Sequence, residues 1–282
     1  MPTSGATQSA GVRTRSEAIS SRENRWLKMF RAALRGTDLL AEGLAGIEGP
    51  RIVADAVSSQ LEMTALLWSE SGERHLAAIE GRLAPATRLL RTSDRLFESV
   101  TGTRTPQGIA ALVRPRRFGF DDLLKAGPGQ PLVVVLVDVQ DPGNVGTLIR
   151  TAEAFGASGA IATAGTAHPW SPKAVRASAG SIFRLPLLEG IGPAVALAQL
   201  GIAGVTTYAT TAAEGPSPSQ VDLTAPVALL IGNEGAGLPP EIARSANSAL
   251  HIPVAGTVES LNAAMAATVV LYEAARQRGF SS

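Results

Sequence analysis

Residues 227–277 read VALLIGNEGAGLPPEIARSANSALHIPVAGTVESLNAAMAATVVLYEAARQ, two apolar strands that each feed a loop. The first strand, Val227 to Ile231, enters Gly232-Asn233-Glu234-Gly235-Ala236-Gly237, whose three glycines let bare backbone bend sharply and come close to a ligand. Glu234 is its one charge. The second strand, Leu250 to Val254, enters Ala255-Gly256-Thr257-Val258-Glu259-Ser260. The Ala-rich run from Leu261 to Gln277 then has helix composition, and Gly279 stops it. A loop thus meets a helix N-terminus, whose unpaired N–H groups and positive dipole favour a carboxylate or phosphate. Either loop alone reads equally well as ordinary strand-turn-helix punctuation. The clustering of Asn233, Glu234, Ser260 and Asn262 is what points to a site.

With 282 residues and 45% hydrophobic content, the chain is long enough for two domains with packed cores. Its longest apolar runs, such as Leu132 to Val137 and Ala263 to Tyr272, fall short of the roughly 20 residues of a membrane helix. A soluble, cytoplasmic protein without membrane contact is expected. Cysteine is absent, which excludes disulfides and thiolate metal sites. His75, His168 and His251 stand far apart without ligand spacing, so no metal is expected. The net charge of +1 hides an asymmetry about Arg117. Residues 1–117 hold 17 Lys+Arg against 12 Asp+Glu, a balance of +5, and the remainder holds 8 against 12, a balance of −4. The basic half is the expected polyanion contact, although a solvated basic surface would read the same way.

Residues 1–19 are expected to be a disordered tail, rich in Ser, Thr, Gly and Ala to Thr14, where Arg13 is the one charged side chain. Residues 20–117 read as a small α/β domain that binds substrate. Ser20-Ser21 can cap a helix through Arg35 whose apolar face is Trp26, Met29, Phe30, Ala33 and Leu34. Arg25, Lys28, Arg31 and Arg35 recur beside that face, a stripe that suits either a phosphate backbone or plain solvent. A helix from Pro50 to about Val57, short strands at Thr64–Trp68 and Thr87–Leu90, and a strand through Ile109–Val113 follow. Pro115 and Gly127-Pro128-Gly129 then mark a linker over residues 118–130.

Residues 131–282 form the second domain. Leu132 to Asp138 reads as a buried strand, followed by Asp141-Pro142-Gly143-Asn144-Val145-Gly146-Thr147-Leu148-Ile149-Arg150, a helix that starts near Asn144 as its cap. Gly146, one turn below Arg150, leaves space where a substrate can meet the guanidinium. Strands near Gly159–Thr163, Phe183–Leu187, Val205–Thr210 and Val227–Ile231 alternate with helices near Pro172–Ser181 and Pro193–Leu200. Such alternation predicts an α/β fold with a parallel sheet and ligands at the strand C-termini. Neither G-x-G-x-x-G in the Asp138–Gly146 turn nor G-K-[ST] anywhere is present, which disfavours dinucleotide and nucleoside-triphosphate enzymes.

Three segments in this order, Asn144–Arg150 (NVGTLIR), Gly232–Leu238 (GNEGAGL) and Ile252–Asn262 (IPVAGTVESLN), resemble the signature of the SpoU family of RNA ribose 2′-O-methyltransferases, within the SPOUT superfamily. The resemblance covers residues 130–278. Residues 20–117 are similar, through EGPRIV and TPQGIAALV, to that family's ribosomal-protein-like RNA-binding domain. The resemblance implies a C-terminal trefoil knot, S-adenosyl-L-methionine held near Thr210, Gly232, Asn233, Ile252 and Leu261, and a homodimer. It implies action on RNA, ribosomal RNA first and transfer RNA second, with Arg150 activating the ribose hydroxyl. Asn144 orients the ribose or Arg150, while Glu234, Ser260 and Asn262 fix loops and substrate. A cofactor-binding RNA module without catalysis and a Rossmann oxidoreductase are the alternative readings.

Overall fold

Apolar runs alternate with turn-forming residues along the chain and assemble into two sheets. A computed structural model describes residues 16–125, 129–212, 215–255 and 261–279. Most of the expected tail, residues 1–15, lies outside these. The first unit runs β1 (Glu17–Ala18), α1 (Arg25–Arg35), β2 (Ala45–Glu48), α2 (Pro50–Ser58), β3 (Glu62–Trp68), α3 (Glu73–Ala77), β4 (Arg88–Arg91), α4 (Asp94–Glu98) and β5 (Ile109–Arg114). Its strands form a mixed sheet in the order β1-β4-β3-β5-β2. Residues 17–19, expected in the tail, are part of it: Glu17 and Ala18 pair with Leu90 and Arg91, and Ile19 is buried.

The second unit runs α5 (Phe120–Lys125), β6 (Leu132–Leu136), α6 (Pro142–Ala154), β7 (Gly159–Thr163), α7 (Pro172–Ser178), β8 (Leu187–Ile191), α8 (Pro193–Ile202), β9 (Thr206–Thr211), β10 (Val227–Ile231), α9 (Pro240–Ser245), β11 (Ser248–His251) and α10 (Ala263–Gln277). Its six strands are all parallel, in the order β11-β9-β10-β6-β7-β8. The continuous apolar runs of β6 and β10 are buried at every residue, as central strands covered on both faces require. The stretch expected as a linker holds α5, whose Leu123 is fully buried in the core that also contains Val133 and Ile161.

Local capping explains several shifted boundaries. The first helix begins at Arg25, not after Ser21, because the Asn24 side chain accepts the Trp26 N–H at 2.8 Å. Asn144 does not cap α6. Asp141 does, accepting the Gly143 N–H with Pro142 at the first helical position, so Asn144 is carried inside the first turn. The strand expected at Phe183–Leu187 starts only at Leu187. Ala179 and Gly180 take left-handed backbone and turn residues 181–183 into a single tight helical turn first.

Gly146 does not open space beside Arg150. A Cβ there would lie 2.2 Å from the Ala174 carbonyl oxygen and 2.7 Å from the Ala177 Cβ, so the glycine lets α6 and α7 touch backbone to backbone. Gly146→Ala is expected to force these helices apart and cost about 2 kcal/mol, read as a lower denaturant midpoint with an unchanged slope.

The two units share one apolar cluster, which contains Ile52 and Val53 of α2 and Val175 of α7, and α7 packs on β2 and α1. At the far end, Arg278 donates to the backbone carbonyls of Leu223, Ala225, Pro131 and Gln130, and Gln277 donates to those of Pro218 and Val221. The end of α10 is thereby clasped onto the approaches to β6 and β10.

Candidate active site

The C-terminal ends of β6 and β10, adjacent in the sheet, release two loops that lock together through one carboxylate. Glu234 accepts hydrogen bonds from the backbone N–H of Gln140 (3.2 Å), the backbone N–H of Asp141 (3.1 Å) and the Asn144 side-chain amide (2.9 Å). Asn262 Nδ2 donates in turn to Asn144 Oδ1 at 3.4 Å. Asn144, Glu234 and Asn262 were expected at the site from three separate segments, and they form one chain of hydrogen bonds. Partial burial alone would raise the Glu234 pKa. The hydrogen bonds from Asn144 and the backbone amides outweigh it and hold the carboxyl below its ordinary value.

Arg150 stands apart from this chain. It lies on the exposed side of α6, and its side chain makes no hydrogen bond or ion pair among the described residues. Ser260 lies outside the described residues.

Beside the network, a cavity of about 490 Å³ is lined by Thr210, Gly232, Asn233, Ile252 and Leu261, all five expected cofactor-contacting residues. Its apolar wall also contains Ile231, Leu238, Leu250 and Ala266, which motif reading left out. Their signal was weak, because strand-end leucines and helix alanines read as ordinary core. The Thr210 hydroxyl donates to the Leu230 carbonyl at 2.8 Å and so ties β9 to β10.

The loop glycine also serves the loop itself. A Cβ on Gly232 would sit 2.4 Å from the Gly237 carbonyl carbon and the Leu238 nitrogen, so the residue admits the loop's own return while it lines the cavity. The loop amides are also occupied: Asn233 Oδ1 accepts from Gly235 and Ala236, both at 2.9 Å, while its Nδ2 donates to the Asp138 carbonyl. The expected anion seat at the start of α10 is likewise filled, since Asn262 Oδ1 accepts the Ala264 and Met265 N–H groups. The cavity therefore suits a ligand with a large apolar or aromatic body, and its volume lies within the range of small-molecule sites.

Asp138, Gln140 and Asp141 brace the network from below. Asp138 adopts φ +56°, and its carboxylate accepts from Gln140 Nε2 at 2.7 Å, which also donates to the Gly165 carbonyl at 2.6 Å. The Lys173 ammonium lies 2.9 and 3.2 Å from the two Asp141 oxygens, and together with the Gly143 amide it holds that carboxyl below its ordinary range. The Asp-Pro pair could have revealed the cap, but Lys173 carries no local signal.

The basic stripe of α1 is mostly spent within the molecule. Arg31 and Arg35 donate to the Ser99 and Thr101 carbonyls, Lys28 pairs with Glu23 at 2.6 Å, and Arg25 lies over the Trp26 ring. Among the described residues there is no group of three His, Asp or Glu able to hold a metal ion, and no helix is long and apolar enough to cross a membrane.

Comparisons with known proteins extend this geometry. Residues 40–111 match the MRM3-like substrate binding domain. The chain is 31% identical over 247 residues to an uncharacterised tRNA/rRNA methyltransferase of Synechocystis, covering 85% of this chain and 64% of that longer protein. It is 32% identical over 227 residues to the 23S rRNA (guanosine(2553)-2′-O)-methyltransferase RlmP of Bacillus subtilis, covering 80% of this chain and 86% of the relative. The crystal structure of the SpoU methyltransferase AviRb from Streptomyces viridochromogenes, in complex with AdoMet, superposes with a TM-score of 0.81 at 28% identity, over 92% of this chain and 100% of that one. The model of the SpoU rRNA Methylase family matches residues 131–272, a span that contains the whole hydrogen-bonded network and the cavity beside it, and the chain belongs to that family.

Proposed function

We propose that this chain is an S-adenosylmethionine-dependent RNA ribose 2′-O-methyltransferase acting on ribosomal RNA. The observation that carries the reading is the Glu234–Asn144–Asn262 network set against an apolar cavity at the ends of parallel strands. When bound, the cofactor supplies a methyl group on a sulfonium, electrophilic toward a ribose oxygen. Ile231, Leu238, Leu250 and Ile252 offer the apolar wall for its adenine, and Leu261 closes the side nearest Asn262.

Arg150 binds the phosphate next to the target ribose and stabilises the oxyanion that develops at O2′. A guanidinium, with a pKa above about 12, is a poor base at neutral pH, so Arg150 acts by stabilising the O2′ oxyanion, and the hydroxyl proton leaves to solvent as the methyl group is transferred. Asn144, oriented by Glu234 and Asn262, presents its amide to the ribose. Asp138, Gln140 and Asp141 keep that amide in place by fixing Glu234. Ser260, outside the described residues, keeps the role the family resemblance gives it, fixing loops and substrate with Glu234 and Asn262.

The family's trefoil knot and homodimer are part of the same proposal. β10 sits between β6 and β9 while α10 packs on α6, an order consistent with late segments passing through an earlier loop. Met265, Val269 and Tyr272 expose 64, 43 and 57% of their surface at helical spacing along α10, an apolar stripe suited to a second copy of this chain. A cytoplasmic location follows from the substrate. The ribosomal preference rests on the matched substrate-binding domain and on the relatives' activities.

Incubating the full-length protein with labelled S-adenosylmethionine and RNA from cells lacking its gene should label large-subunit ribosomal RNA, and RNA from cells carrying the gene should label far less. Label confined to transfer RNA would overturn the substrate, and none in any RNA would overturn the activity.

A further inference from the structure

The shared apolar cluster fixes α7 to both units, and α7 displays two cations on one edge. Lys173 and Arg176 are three residues apart, hence neighbours on one helix face, and both are exposed. Between them Ala174 and Val175 are buried, at 0 and 1% exposure, which turns the basic edge outward. Lys173 stands at the rim of the catalytic network, its ammonium on the Asp141 carboxylate whose own backbone N–H supports Glu234. Arg176 stands at the seam with the first unit. The charge it faces there is Glu48, a buried carboxylate already occupied by the Thr103 hydroxyl.

From this placement we infer that Lys173 and Arg176 contact neighbouring phosphates of the RNA and carry its backbone from the first unit to the Asn144 network. The inference rests on RNA being the substrate. Neither cation is firmly held. The Lys173–Asp141 pair is about half exposed, a class of ion pair worth little in water, so a phosphate can take over the ammonium. The Arg176 side chain makes no hydrogen bond among the described residues, whereas that of Arg184 is held by Glu153 through two bonds of 2.6 and 2.7 Å. On the first unit, Arg51 and Arg104 are exposed, and Arg104 follows Thr103, the residue bonded to the Glu48 that Arg176 faces. Contacts of this kind set the register of the backbone without reading bases, which leaves selection to the first unit.

The test uses full-length wild type, Lys173→Gln/Arg176→Gln, and the charge-keeping exchange Lys173→Arg/Arg176→Lys. The RNA is a ribosomal fragment that the wild type methylates. RNA binding is measured across a salt series, together with KM for RNA and cofactor affinity. Removing two phosphate contacts to a single strand should make the log–log salt slope shallower by about 1.4 and raise KM at fixed salt by about tenfold. Cofactor affinity should not move, and the exchange variant should keep the wild-type slope. Arg176→Gln alone, which touches no residue of the network, should shift the slope by about 0.7. An unchanged slope and KM in the double glutamine variant would overturn the inference while leaving the methyltransferase reading intact. An equal loss in the exchange variant would do the same, because charge would then not be what matters. A wild type that methylates no RNA would overturn both.

Discussion

Arg150→Ala is expected to lower kcat by about 10³-fold while leaving cofactor affinity within about twofold, the magnitude seen when one group aimed at a developing oxyanion is removed. The separation of the two effects follows from geometry. Arg150 lies on the exposed side of α6 and does not line the cavity formed by β9, β10, β11 and the start of α10. Its loss removes no contact seen in the folded chain, so the melting temperature should stay unchanged. Arg150→Lys should recover little, because a point charge does not reproduce the planar fork that holds a phosphate through two oxygens. Calorimetry and a transfer assay on one preparation decide it, and activity within a few-fold of wild type would remove Arg150 from the chemistry.

Glu234→Ala should be the second most damaging change, and it should fail differently. The carboxylate is the common acceptor for two backbone amides and Asn144, so its removal unpins the β6 loop from the β10 loop. A loss of about 10² in kcat is expected from misplacement of Asn144. The unfilled donors should also lower the melting temperature by about 2–4 °C, equivalent to about 1 kcal/mol. Because the folded-state pKa of Glu234 is depressed, its stabilisation is complete above the ordinary carboxylate pKa of about 4.3 and is lost as pH falls through the lower folded value. The wild-type and variant stabilities should therefore converge on acidification below that value. A constant difference across that window would show that the carboxylate charge contributes nothing.

How much of this was visible in the sequence depended on whether the determinant was local. Val227–Ile231 is a strand at the expected residues, because five apolar positions ending in glycine leave few alternatives. Asn144, Glu234 and Asn262 were singled out by motif, yet their bonding to one another spans 90 to 118 residues and no spacing rule reveals it. Gly146 and Gly232 were read as openings for ligands, whereas a Cβ on either would meet the protein's own backbone, a constraint that exists only after folding. The strand order, with β10 between β6 and β9, is likewise non-local. Lys173 was invisible because a lysine at a helix start has many uses, and only its distance to Asp141 assigns one.

The account stands on attack by a ribose oxygen, and the most direct test reads where the methyl group goes. RNA methylated by the purified protein is digested to nucleosides and fragmented in a mass spectrometer. The added methyl mass should stay with the ribose, and the linkage 3′ to that residue should resist alkali, because the 2′ oxygen can no longer attack its phosphate. A methyl group that fragments with the base, at a linkage still cut by alkali, would contradict the account.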